Sequence, residues 1–178
     1  FASAEDRLAI SDLNAVVPVG LLVTKLTTTP FMETGAHSRW ELRYANTSGA
    51  PFAAIRLIDV LPYNGDPVNT ANAFSGGFAG GSLAPLLPGE YTLYASSSPA
   101  ATINRNPNCV SNGGNVPDGG GACPASGALW TPIASGALPA GTTAIRIDDG
   151  NGLAANSQQS VELQLVHTGN RAGDVYEN

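Results

Sequence analysis

Lys25 is the only lysine in the 178-residue chain. It sits in the stretch GLLVTKLTTT, flanked by Val23 and Leu26. A lysine amine attacks a carboxamide only as the neutral base. Burial among apolar groups favours that form, and a protonated carboxyl nearby polarises the amide. Asp59, between Ile58 and Val60, suits the acid, and Asn178 supplies the amide. Lys25, Asp59 and Asn178 are therefore candidates for an isopeptide bond. The competing reading has Lys25 snorkelling to solvent from an edge strand and Asp59 accepting turn hydrogen bonds near Pro62.

Cys109 and Cys123 share one stretch rich in Gly, Asn and Pro. A disulfide between them is expected, with two free thiols as the alternative. Such a bond persists in an oxidising compartment. Asp66, Asp118, Asp148 and Asp149 invite a calcium reading, but they lack the spacing of an oxygen-ligand loop and read better as solvated turn residues. No metal and no cofactor is expected. Asn46-Thr47-Ser48 is a glycosylation sequon, placed on a surface turn. His37 and His167 stand alone and read as surface histidines. No Ser, His and Asp set or carboxylate pair can be assembled, so the chain is not expected to be an enzyme. Trp40, Tyr44 and Trp130 read as core, while Tyr63, Tyr91 and Tyr94 are candidates for an exposed glycan contact.

These residues need elements to hold them. Charged residues make up 12% of the chain, against 21 glycines and 13 prolines. That balance suits many short strands joined by turns rather than helices. Period-two alternation marks GLLVTKLTTT, SRWELRY, FAAIRLIDV, part of Leu83 to Tyr94, ALWTPIA, TTAIRID and SVELQLVHT. About eight strands without helices predict an all-β fold, a two-sheet sandwich in preference to a barrel, with a disulfide-tied loop. The division expected is an N-terminal segment, 1–18, as a candidate donor strand, and a sandwich domain over 19–178. The start, Phe1-Ala2-Ser3-Ala4-Glu5, lacks the basic and apolar regions of a signal peptide and reads as a processed or excised segment.

The net charge of −6 and seven scattered arginines give no electrostatic footprint for nucleic acid. No apolar run approaches the roughly 20 residues of a bilayer-spanning helix, so no membrane insertion is expected.

The order of Lys25, then Tyr44, Asn46, Thr47 and Gly49, then Asp59, Leu61 and Pro62, then Gly173, Asp174 and Asn178 resembles a known repeat. It is similar to the domain of unknown function number eleven of bacterial and archaeal surface proteins, over about Leu21 to Asn178. The resemblance implies an immunoglobulin-like sandwich used as a stalk or adhesive unit, usually in tandem. The chain departs from that pattern in the 95–129 insertion and in ending its family-like segment at Asn178. The expected function is that of an extracellular structural subunit of a surface fibre. Head-to-tail self-association would occur by donation of residues 7–17 to a neighbour's open sheet. The alternative is a ligand-binding adhesin, for glycans or a host surface.

Overall fold

The computed structural model describes residues 20–29, 36–85 and 91–177. Among the described residues nine strands follow in order: β1 (Leu21–Thr27), β2 (His37–Asn46), β3 (Ile55–Val60), β4 (Gly77–Pro85), β5 (Tyr91–Ser96), β6 (Thr131–Pro132), β7 (Ala137–Leu138), β8 (Ala144–Asp149) and β9 (Gln158–Thr168). They form two antiparallel sheets, ordered β1-β2-β9-β4-β7 and β3-β8-β5-β6. This is the all-β two-sheet sandwich that the alternation predicts.

The alternation also sets which side chains meet. Trp40, Leu42 and Tyr44 of β2 lie in register with Leu163, Val161 and Gln159 of β9. Ile55 and Leu57 of β3 face Asp149 and Ile147 of β8. The apolar members of these rows pack together as the main core. Tyr44 is wholly buried, and its hydroxyl donates to Asp149 Oδ2 at 3.0 Å. Asp149 Oδ1 accepts from the backbone N–H of Asn151 and Gly152, which fixes the β8–β9 turn.

Three elements differ from the sequence expectation. The first is β4, whose glycine-rich GFAGGS has no apolar alternation and reads as a loop. It pairs with β9 because glycine is required there: a Cβ at Gly81 would lie 2.0 Å from the Gln164 carbonyl oxygen. In the second, ALWTPIA gives only the two-residue β6. The chain then crosses from one sheet to the other, with Ile133 N–H donating to the Leu93 carbonyl and Leu83 N–H to that of Gly136. This crossing seals one side of the sandwich. Third, GDVYEN is not a regular strand. Its Val175 makes an isolated bridge to Ala73.

The insertion is a folded layer on the outer face of the second sheet. Ile103, with Ala128 and Trp130 beside it, packs on Val60 and Ala144. Val60, which alternation places with Arg56 and Ile58 on the face away from the main core, is buried for this reason. The Arg146 guanidinium lies 3.7 Å from the Tyr94 ring centroid and 5.6 Å from that of Trp130. Buried Asn112 donates to the carbonyls of Asn104 and Asn106 and accepts from Trp130 Nε1. Cys109 and Cys123 form the expected disulfide, with Cα atoms 5.5 Å apart.

Two stability outcomes follow. Leu163→Ala empties a wholly buried core position and should cost about 2–5 kcal/mol in urea unfolding. Replacing both cysteines with Ser should cost about 3 kcal/mol on the loop-entropy estimate, because the bond closes a short loop.

Candidate functional site

On the side opposite the crossing, β1 and β3 are the outermost strands of their sheets. Lys25 comes from β1, in register with inward-facing Leu42. Asp59 comes from β3, in register with Ile145. Both side chains therefore point between the sheets, and Lys25 Nζ meets Asp59 Oδ2 at 2.5 Å. The two side chains are 15% and 13% exposed, so neither snorkels to solvent and Asp59 is not a turn acceptor. The Lys25 amine also lies 5.5 Å from the Trp40 ring centroid. Burial pushes the Lys25 pKa below its usual range, although the Asp59 carboxylate acts to raise it.

A cavity of about 610 Å³ opens beside this pair. Lys25, Ser38 and Trp40 line one wall, and the segment 170–177 forms the other. That segment is held by side chains standing in for a sheet partner. The carboxamide of buried Asn72 accepts from the Glu177 N–H at 2.7 Å and donates to its carbonyl at 3.0 Å. Ala73 and Val175 exchange two backbone hydrogen bonds, and Asp174 accepts from Ser75 and from the Arg171 N–H. Tyr176 stacks on Phe74 at 4.3 Å. The structure thus brings Lys25 and Asp59 together and places Glu177 in the wall of the same cavity. Asn178 lies outside the described residues, as does the 1–18 donor segment.

Several candidates sit otherwise than expected. Asn46 is buried, and its Nδ2 donates to the carbonyls of Ala50, Leu153 and Ala154, so the sequon amide is occupied in the fold rather than exposed on a turn. The four aspartates serve separate tasks: Asp118 stands exposed in a turn as expected, while the other three are at least partly buried and held by partners. Asp66 is buried and pairs with Arg105, Asp118 accepts from Ser111, Asp148 pairs with Arg56 and Arg146, and Asp149 holds Tyr44. The tyrosines are partly covered and engaged. Tyr91 bonds Gln159, Tyr94 lies under Arg146, and Tyr63 packs on the insertion layer.

His167 is 3% exposed, not a surface residue. It follows Leu163 and Leu165 on the inward face of β9, where the same alternation buries it. Its Nε2 is 2.6 Å from Ser38 Oγ, and its ring packs edge-on against Phe78 and Tyr176. Burial pulls its pKa down to about 4. Asn72 and the Ser38–His167 pair carry no sequence motif. Only the alternation through Leu163 and Leu165 foretells an inward His167.

No family model, curated protein or solved structure matches the chain.

The His167 shift fixes a pH dependence. The unfolded chain takes up a proton near pH 6.5 and the folded chain only near pH 4, so acid favours unfolding across that interval. Between pH 7 and pH 4 the wild type should lose about 3 kcal/mol more than His167→Gln in urea titrations, at about 1.4 kcal/mol per unit of pKa shift.

Proposed function

We propose that this chain is a structural module of an extracellular fibre or stalk, an immunoglobulin-like sandwich closed by an isopeptide bond between Lys25 and Asn178, without catalytic turnover. The observation that carries the reading is the buried Lys25–Asp59 pair joining the two edge strands beside a cavity whose wall ends at Glu177, one residue before Asn178. The disulfide is consistent with an oxidising, extracellular setting. Among the described residues no helix is long and apolar enough to cross a membrane. The glycan-binding alternative is less favoured because Tyr91 and Tyr94 are already engaged within the sandwich.

In the proposed step a proton passes from the Lys25 ammonium to Asp59 along their short hydrogen bond. The neutral amine attacks Asn178 Cγ while the Asp59 carboxyl hydrogen-bonds the carboxamide oxygen. A Lys25 Nζ–Cγ bond forms and the Cγ–Nδ2 bond breaks. Asp59 passes its proton to the leaving nitrogen and takes up the one that the attacking nitrogen sheds, so ammonia departs and Asp59 ends protonated. The product is an amide, and no oxidant or reductant is consumed.

Intact-mass spectrometry of the purified chain tests this: the loss of ammonia lowers the mass by about 17 Da. Lys25→Ala, Asp59→Ala and Asn178→Ala should each restore the unmodified mass. An unmodified wild-type mass removes the crosslink.

A further inference from the structure

The side of the sandwich that carries Lys25 and Asp59 is open along its length. Among the described residues β1 pairs only with β2, and β3 only with β8. Leu21 and Val23 are in register with Asn46 and Tyr44, whose side chains are buried, and so point inward with them. They are nevertheless 39% and 49% exposed. An inward-facing apolar residue is half exposed when the layer that should cover it is missing. A cavity of about 450 Å³, lined by Leu21, Ile55 and Arg56 among others, lies at one end of this groove. The 610 Å³ cavity lies at the other end, beyond Lys25.

The β1 backbone is ready to pair. Thr28 N–H donates to Arg39 and Thr47 N–H to Gly20, so the even-numbered positions of β1 hold the ladder to β2. In an antiparallel pair the alternate residues then turn their N–H and C=O groups away. Val23, Lys25 and Thr27 thus present unshared backbone groups along the edge.

We propose that this groove accepts a β-strand from residues 8–17 of a second copy of the chain. This deepens the structural-module reading, on which it rests for the sense of repeated assembly. The segment LAISDLNAVV supplies ten residues against the seven of β1, with Leu13, Ala15 and Val17 on one face of an extended strand. The same copy is poorly placed to fill its own groove. Gly20 is already in the ladder, bonded to Thr47, so a fold-back needs Pro18 and Val19 as a two-residue turn. Tight hairpin turns require positive φ at the first central residue, which proline cannot adopt. A longer turn would consume Val16 and Val17, the apolar end of the segment. Donation to a neighbour does not close on itself and so propagates head to tail.

Two full-length variants test the proposal. Ile10→Pro spoils the donor, and Val23→Pro removes an outward N–H of the acceptor without touching the β1–β2 ladder. The wild type should show a weight-average mass that rises with concentration in light scattering. Each variant alone should be monomeric at every concentration, and the two mixed should give a 1:1 heterodimer, because each retains the half that the other lacks. Circular dichroism of each variant checks that the sandwich is intact. A wild type that stays monomeric, or variants that still form long oligomers alone, overturns strand donation. A 17 Da loss in a monomeric wild type would do so while leaving the crosslink standing.

Discussion

The sandwich is sealed differently on its two sides, and the pairing of Lys25 with Asp59 is the constraint on which the open side depends. Opposite it, the chain crosses between sheets from β6 to β7, so continuous backbone holds the layers together. Between β1 and β3 an ion pair makes the connection. A buried pair is costly to desolvate and is strongly destabilising to break one partner at a time. Its position is therefore better explained by chemistry or registration than by stability alone. The depressed pKa of Lys25 fits that view, since burial there outweighs the favourable neighbour.

Much of this was legible before the structure. A lone lysine in an alternating strand, an acid in a second and an asparagine at the far end already suggested an internal crosslink, and two of the three are in contact. The Trp40–Leu42–Tyr44 row and the Val161–Leu163–Leu165 row predicted the core because a strand repeats every second residue. What was not legible depends on neighbours distant in sequence. Asn46 looks exposed in its turn but is needed by carbonyls more than a hundred residues away. The strand at Gly77–Pro85 is invisible to hydrophobic patterning because its glycines answer to the close approach of β9.

The insertion shows the same dependence on distant partners. Composition marks it as a long polar loop, yet Ile103, Trp130 and Asn112 convert it into a second layer over β3, β8 and β5. Arg146 then sits between aromatic rings on what would otherwise be a solvated face. The disulfide ties this layer to itself rather than to either sheet, so the oxidised bond shapes the insertion while the main core rests on apolar packing.

The placement of β1 has a mechanical corollary. Gly20 leads into one end of β1, and Glu177 is held near its other end by Asn72 and the cavity wall. Tension applied between these two points runs along the axis of β1, parallel to β2. Without a crosslink it shears their shared ladder, loading many backbone bonds at once instead of unzipping them in turn; with Lys25 joined to Asn178 the covalent bond would carry that load. An arrangement of that kind resists extension better than one whose bonds are loaded one after another.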